Sequence, residues 1–260
     1  MGSCSGLKNA MNIKIPHLEK YPPETQAMLL RKIEDIINET FVFSADYDYL
    51  NARWLSINRL YRPFFWAALQ AIEKYLKANL LYHGVCIKKY RHNILRMALD
   101  LEDHDTFLKD VELVARTEHQ MLQKDGLWGS SDIYVFLKTI EKYGDPNNRY
   151  DFYGSCYEFS HLFKLDHVIY SLRSKVTDID LLYKVKDLDR LSFFAYEQNY
   201  YFAPIDYEHK SIYGLVGANI SVPSIEIAVK GGYGHPQVFE RWLKDNILIK
   251  DSHIDKMKNS

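Results

Sequence analysis

The chain has 260 residues, of which 47% are hydrophobic and 26% are charged, and this is an ordinary globular composition. Its formal net charge is −1, so the overall electrostatic field of the protein does not attract nucleic acid. Any contact with nucleic acid must therefore come from a local basic patch.

Apolar residues recur at helical spacing through most of the first 200 residues. Pro22 and Pro23 suit the start of the first helix, and Pro63 opens the third. Segment 144–154 interrupts the pattern and predicts a loop. Several amphipathic helices with short links favour an all-α, up-and-down helical bundle. The predicted helices cover 22–41, 44–61, 63–84, 91–103, 104–124, 130–144, 157–175 and 178–198.

The sequence changes character after residue 200. Segment 212–236 is rich in glycine and β-branched residues, which predicts irregular structure or short strands, with a turn at GGYGHP (231–236). A short closing helix is predicted over 239–249. We therefore expect a small irregular C-terminal extension. The predicted divisions are an N-terminal segment and helix packed on the bundle, the bundle, and the extension, over 1–43, 44–200 and 201–260.

The three cysteines lack the paired spacing of a disulfide framework or a zinc site. No apolar run reaches the roughly 18 residues that a membrane-spanning helix needs. The first residues also lack the apolar stretch of a signal peptide. We therefore expect a cytoplasmic protein with no membrane partner, no metal and no cofactor.

The third predicted helix carries the stretch QAIEKYLKANLLYHGV (70–85). Glu73 and Lys77 lie four residues apart, in the order that favours a surface ion pair on a helix. Ala71 and Ala78 are small residues that let another backbone approach closely. By spacing alone, this stretch is a bundle helix with a solvated, charged flank.

Four elements follow one another in a particular order along the chain. The first two are a helix start at DYL (48–50) and a helix that contains AIEKYLKA (71–78) and is followed by Gly84. The next two are a helix start at HNI (92–94) and a later helix at LFKLDHVIYSLR (162–173). In this order they resemble the HEPN family, the higher eukaryotes and prokaryotes nucleotide-binding domain.

The resemblance covers about residues 45 to 200. It implies a compact α-bundle that forms a homodimer and associates with RNA or nucleotide. It also implies a defence or toxin–antitoxin context. A further alternative is a protein-interaction module that pairs with a nucleotidyltransferase-like or defence protein and has no affinity for nucleic acid.

Many members of the family are metal-independent ribonucleases with an Arg, four to six residues, then a His on a late helix. In that chemistry a histidine moves a proton at the ribose hydroxyl, while an arginine stabilises the phosphorane charge. None of the ten histidines in this chain has an arginine five to seven positions before it. The expected function is therefore RNA or nucleotide binding, with divergent metal-independent RNA cleavage as the alternative.

A basic cluster, KKYRHN (88–93), directly follows the helix that carries the resemblance. Lys88, Lys89, Arg91 and His92 surround Tyr90, and such a group can neutralise phosphates and stack a base. The cluster stands at the start of a predicted helix, where anions are favoured. The alternative is an ordinary solvated loop and helix start.

Three more cations, Lys74, Lys77 and Arg62, complete the predicted nucleic-acid or phosphate-binding set. If the chain cleaves RNA, we expect His92 to act as the acid or base. Arg91 or Arg62 would then stabilise the charge on the phosphate.

The segment HLFKLDH (161–167) presents a polar strip on a predicted helix. Its two histidines are six residues apart, which is poor spacing for joint metal ligation on one helix. Asp166, Tyr170 and Arg173 are predicted to be structural residues that bond across the bundle or across the dimer.

Overall fold

The computed structural model describes residues 13–109, 111–113, 131–146, 148, 156–157, 160–176 and 224–259. Within these residues the fold is almost entirely helical, and the predicted all-α class is confirmed. Two two-residue strands, β1 (Glu112–Leu113) and β2 (Ser131–Asp132), pair antiparallel. The described helices are α1 (Pro23–Ile37), α2 (Ser44–Ile57), α3 (Tyr61–Tyr82), α4 (Ile94–Glu102), α5 (Ile133–Gly144), α6 (Ser160–Val176), α7 (Ser224–Val229), α8 (Pro236–Asn246) and α9 (Asp251–Asn259).

An unbroken helical stretch runs from residue 23 to residue 57. Pro23 occupies the first turn of α1, where a proline loses no helical hydrogen bond. A π-helical segment, Asn38–Phe43, then joins α1 to α2 without a break. The boundary predicted at residue 43 therefore falls inside a continuous helical segment.

Helix α2 ends four residues before its predicted end because the chain turns sharply into α3. Arg59 adopts a left-handed conformation with φ of 59°. The amide of Leu60 donates to the carbonyl of Leu55, and the amide of Arg59 donates to the carbonyl of Ser56. This pair of bonds is the Schellman arrangement, which is usually built on glycine or asparagine. The use of arginine here conceals the helix end in the sequence.

Helix α3 is the centre of the bundle and packs against α2, α4, α5 and α6. Gly84, with φ of 71°, caps it: the amide of Gly84 donates to the carbonyl of Leu81, and that of Val85 donates to the carbonyl of Leu80. A different glycine, Gly144, lets α5 approach α3, because a Cβ there would lie 2.5 Å from the carbonyl oxygen of Phe65.

The predicted helix over 104–124 is wrong in its described part. Asp105 accepts a hydrogen bond from the amide of Phe107 and starts only a single 3-10 turn, Thr106–Leu108. The chain then enters strand β1 and pairs with β2. Residues 114–130 lie outside the described residues, and so does the predicted helix 178–198.

The C-terminal part is more helical than predicted where the structure describes it. Residues 224–229 form helix α7 instead of a strand or loop, and the predicted turn at 231–236 is present with Gly231 and Gly234 at positive φ. Pro236 begins α8 three residues before the predicted closing helix, and α9 follows it. The core is continuous from α1 to α8 and includes Trp242.

Candidate nucleic-acid interface

The basic cluster lies on a turn between α3 and α4 that is fastened to the C-terminal helices. The amide of Ile87 donates to the carbonyl of Asn246 at 3.1 Å. The thiol of Cys86 lies 3.1 Å from the carbonyl oxygen of Asp245. Tyr90 is only 2% exposed, so its ring belongs to the core. The turn is therefore held just before the cluster, by Cys86 and Ile87, and at its middle, by Tyr90.

Tyr90 is an anchor in the structure and does not offer the base-stacking face that the sequence predicts. Its hydroxyl donates to Oδ2 of Asp100 at 2.8 Å. The Lys89 ammonium donates to the same oxygen at 2.7 Å and lies 4.8 Å from the centroid of the Tyr90 ring. The hydrogen bond from Lys89 holds the pKa of the Asp100 carboxyl below its usual value. Lys89 is therefore already neutralised by a carboxylate of the same chain.

Lys88, Arg91 and His92 remain as the exposed cationic face of the turn. Arg91 has φ of 50°, a left-handed backbone conformation that residues other than glycine and asparagine rarely adopt. No hydrogen bond or ion pair joins Lys88 or Arg91 to another residue in the described part of the chain. Their charges are thus available to an anion from solution.

Glu73, near the middle of α3, connects the turn to the helix. Its side chain is 5% exposed, whereas that of His92 is 62% exposed. Oε2 of Glu73 lies 2.9 Å from Nδ1 of His92, and Nζ of Lys77 donates to Oε1 at 2.6 Å. The predicted pair of Glu73 and Lys77 is present, but the carboxylate is buried and also holds the histidine.

This contact orients the imidazole. A carboxylate that accepts from Nδ1 favours the tautomer with the proton on Nδ1 and leaves Nε2 as the proton acceptor. Such an arrangement can bind a phosphate when His92 is protonated, or remove a proton when it is neutral. The contact spans 19 residues of sequence. It was therefore missed by sequence reasoning, which paired Glu73 with Lys77 alone.

The start of α4 does not support the anion site predicted there. Oδ1 of Asn93 accepts a hydrogen bond from the amide of Arg96 at 2.8 Å. Burial raises the pKa of the Glu141 carboxyl, and hydrogen bonds from the amides of Leu95 and Ile94 oppose that shift. The amides of this helix end therefore already have acceptors within the protein.

The other predicted phosphate-binding cations lie along α3. Nζ of Lys74 donates to Oγ of Ser44 at 2.7 Å and to Asp48, so this lysine links α3 to α2. Arg62 is exposed on the first turn of α3. The structure thus brings Lys77 and His92 together through Glu73 and places Arg62 at the opposite end of the same helix.

Asp166 and Arg173 of α6 are buried and lie in ion pairs with α2 across the bundle. Arg53 pairs with Asp166, which also accepts from the hydroxyl of Tyr49 at 2.6 Å. Burial raises the pKa of the Asp166 carboxyl, and the Arg53 guanidinium opposes that shift. Tyr170 is partly buried on the same helix.

The second ion pair of this interface lies two helical turns away. Nε of Arg173 is 3.3 Å from Oδ1 of Asp46, and the hydroxyl of Tyr75 donates to the same carboxylate. Sequence reasoning missed Asp46 and Arg53. Their seven-residue separation on α2 equals that of Asp166 and Arg173 on α6, and this matched spacing was the signal that could have identified them.

Comparison of the chain with protein-family models, curated proteins and solved structures finds no match. No helix among the described residues is both long enough and apolar enough to cross a membrane. In the same residues, no three metal-ligating side chains come together.

Proposed function

We propose that this chain is a HEPN-like protein that binds RNA or nucleotide through phosphate groups at the turn between α3 and α4. The observation that carries the proposal is the exposed trio Lys88, Arg91 and His92 on an anchored turn, with His92 held by the buried Glu73 carboxylate. The backbone of the turn is anchored, so an anion that binds there need order only the side chains and not the loop that carries them, which favours affinity.

The same proposal includes the wider context implied by the family resemblance. The protein acts in the cytoplasm as a homodimer, beside a nucleotidyltransferase-like or defence partner. The helical bundle with a central helix α3 supports the HEPN-like part of this proposal. The near-zero net charge supports a local site, because the overall field attracts no polyanion.

The test is fluorescence anisotropy with an end-labelled, single-stranded 12-mer RNA at several salt concentrations. For the wild type, the logarithm of the association constant should fall linearly with the logarithm of salt concentration, by about 0.7 per phosphate neutralised. Arg91→Ala should weaken binding several-fold and make this slope shallower by about one such step.

The matched control is Lys256→Ala, which removes an exposed lysine from α9. It should leave both the affinity and the salt slope at the wild-type values. Absence of RNA binding by the wild type, or equal losses in the two variants, would refute a phosphate site at this turn.

A second candidate function, metal-independent RNA cleavage, is favoured by the contact between Glu73 and His92. In this reaction Nε2 of His92 takes the proton from a ribose 2′-hydroxyl, whose oxygen attacks the adjacent phosphorus. Arg91 stabilises the phosphorane charge, the bond between phosphorus and the 5′-oxygen breaks, and the 5′-oxygen takes a proton from water while His92 returns its proton to the solvent. The products are a 2′,3′-cyclic phosphate and a 5′-hydroxyl.

The test is a time course with end-labelled RNA in EDTA, resolved on a denaturing gel. Cleavage by the wild type and by Lys256→Ala, together with its loss in His92→Ala, would support the nuclease. Intact RNA in every lane would reject cleavage of that substrate and leave the binding proposal standing.

A further inference from the structure

Three large apolar side chains are exposed where α2 turns into α3. Trp54, Ile57 and Leu60 are between 38% and 46% exposed. Trp54 and Ile57 are three residues apart at the end of α2, so they lie on one face of that helix. The amide of Leu60 donates to the carbonyl of Leu55 at 2.8 Å, which brings Leu60 back against the last turn of α2. We call Trp54, Ile57, Arg59 and Leu60 the hairpin tip.

The grouping of apolar side chains at the hairpin tip differs from the rest of the described surface. The other exposed large aliphatic residues in the described part of the chain are Leu99 on α4, Val135 on α5 and Leu248 after α8, and each lies on a different element. Single exposed apolar residues are normal on a protein surface, whereas several close together indicate a contact surface.

The charge of the hairpin tip favours an anionic partner. No aspartate or glutamate occurs in residues 49–72. Arg59 is exposed and occupies the left-handed position of the turn, between Ile57 and Leu60 in the sequence. Its guanidinium makes no hydrogen bond or ion pair with the described residues. A cation beside apolar side chains, with no carboxylate from the same segment, is complementary to a negatively charged surface.

We propose that the hairpin tip binds an anionic lipid surface, with Trp54, Ile57 and Leu60 in the headgroup layer and Arg59 beside the lipid phosphates. Tryptophan is enriched at the boundary between membrane and water, and apolar side chains with nearby cations bind anionic lipids. This inference goes beyond the proposed function and uses different residues. The expectation of no membrane partner was based on the lack of a spanning segment, and a contact with the lipid surface requires none.

A second copy of the chain fits the hairpin tip less well than a lipid surface does. In a two-fold dimer the same patch lies on both sides of the interface. Each Arg59 would then face a patch of the other copy that has no carboxylate in residues 49–72. A charge that is buried without a partner is costly, whereas lipid phosphates can neutralise this guanidinium.

The shape of the hairpin tip also favours lipid over a protein partner. Residues 57–60 are four consecutive exposed residues at a reversal of the chain, so the tip projects from the bundle. A protein partner would need a concave surface that matches this projection. A lipid layer has no fixed shape, so projecting side chains can enter it without such a match.

The experiment is co-sedimentation of the full chain with two kinds of vesicle: phosphatidylcholine alone, and phosphatidylserine with phosphatidylcholine in equal parts. The wild type should bind the mixed vesicles more tightly than the neutral ones, and added salt should weaken this binding. Trp54→Gln should weaken binding to the mixed vesicles by about 5-fold to 20-fold, because the ring no longer enters the lipid.

A second variant, Arg59→Asn, tests the charge of the tip. Asparagine tolerates the left-handed backbone, so the turn is retained. The loss of one cation near an anionic surface should weaken binding to the mixed vesicles by about 5-fold. The same variant should leave the affinity for the 12-mer RNA unchanged, because Arg59 lies outside the basic turn.

The matched controls are Leu248→Gln and Lys256→Ala, which remove an exposed apolar residue and an exposed cation away from the tip. Both should bind the mixed vesicles like the wild type. Circular dichroism of all the variants checks that the helical fold is retained. If Leu248→Gln weakens vesicle binding as much as Trp54→Gln, the contact is not specific to the tip.

Other outcomes would overturn the lipid assignment. These are absence of binding to the mixed vesicles, equal binding to both kinds of vesicle, and a lower mass of Trp54→Gln than of the wild type by light scattering. The last result would place the tip between two copies of the chain. Vesicle binding that is lost in Arg91→Ala and retained in Trp54→Gln would assign the contact to the basic turn. RNA binding by the wild type is measured separately, so each proposal can fail without the other.

Discussion

A buried carboxylate is costly unless its oxygens have partners, and Glu73 illustrates how the bundle meets that requirement. One oxygen accepts from Lys77 and the other contacts Nδ1 of His92. The charged lysine one turn away stabilises the carboxylate within the same helix. The histidine comes from a different part of the chain, so the same carboxylate also positions an exposed imidazole.

Removing this acceptor should change the tautomer of His92. In the wild type we expect the proton on Nδ1, facing Glu73, and in Glu73→Met we expect the form with the proton on Nε2 to increase. Nitrogen-15 NMR of the imidazole ring measures the two forms. Lys77→Met is the control, because it removes the other partner of Glu73 and leaves the histidine contact in place. An identical tautomer in wild type and Glu73→Met would show that the carboxylate does not orient the ring.

His167 should make folding stability depend on pH. Burial lowers its pKa to about 4 from an ordinary value of 6.5. The unfolded chain therefore binds the proton more readily, so stability is retained above about pH 6.5 and is lost as the pH falls towards 4. Since the ring is only partly buried, we expect a loss of about 1 to 2 kcal/mol from this residue.

Urea denaturation at pH 7, 5.5 and 4 tests this expectation. Other groups also titrate in this range, so the informative quantity is the difference between the wild type and His167→Gln. The variant should lose less stability than the wild type between pH 7 and pH 4. Parallel pH profiles of the two proteins would contradict the proposed role of His167.

Helices α2 and α6 are joined by two reciprocal ion pairs. Asp46 and Arg53 on α2 are separated by two helical turns, as are Asp166 and Arg173 on α6. Each helix contributes one acid and one base, and the order along α2 is the reverse of the order of their partners along α6. We infer that this pattern fixes the register of the two helices, because a shift by one turn would bury charges without partners.

Breaking the second pair should destabilise the bundle strongly. Arg173 is fully buried, and Arg173→Met leaves Asp46 without its guanidinium. We expect a loss of roughly 3 to 5 kcal/mol in the free energy of unfolding. The double variant with Asp46→Leu should recover most of this loss, because an apolar pair of similar size carries no buried charge.

The measurement is urea denaturation, and Lys175→Met is the matched control on the same helix. Lys175 is 40% exposed and pairs with Asp105 at 3.3 Å, so its loss should cost less than about 1 kcal/mol. A similar effect of Arg173→Met and Lys175→Met would argue against a dominant contribution from the buried pair.

On the scale of the whole molecule, the C-terminal helices share one core with the bundle. Phe239 and Trp242 of α8 are buried in the same cluster as the apolar residues of α1 and α3. Ser224, at the start of α7, donates through its hydroxyl to Glu39 at 2.6 Å. The C-terminal helices also fasten the basic turn through the bond from Ile87 to Asn246. The described elements therefore form a single packing unit.

A shared core predicts one cooperative unfolding transition. Urea curves from far-ultraviolet circular dichroism and from tryptophan fluorescence should coincide. Phe239→Ala should shift both curves to lower urea by the same amount, with a loss of about 3 to 5 kcal/mol. The exposed-site control Val135→Ala should shift neither appreciably, since surface changes usually stay within about 0.5 kcal/mol. A separate early transition in Phe239→Ala would show that the C-terminal helices unfold alone.

The sequence by itself determined the helical class and the position of most described helices, because apolar side chains on one face recur with the helical period. Gly84 and Pro23 mark helix ends through their own backbone preferences. Arg59 and Arg91 mark turns without such a preference, so the end of α2 and the start of α4 were misplaced. A helix end can be predicted from the sequence only where the residue type itself restricts the backbone conformation.

Only the tertiary structure decided what the predicted site residues contact. The predicted set included Lys89, Tyr90 and His92. In the structure, Lys89 and Tyr90 both bond to Asp100, and His92 contacts Glu73. Each of these contacts joins residues that are 10 or more positions apart in the sequence. Such contacts depend on how the turn folds back onto α3 and α4. The number of residues between two side chains in the sequence does not give their distance in space, because that distance depends on the path of the backbone between them. The sequence therefore indicated which residues could bind a phosphate, and the fold selected those whose charge remains exposed.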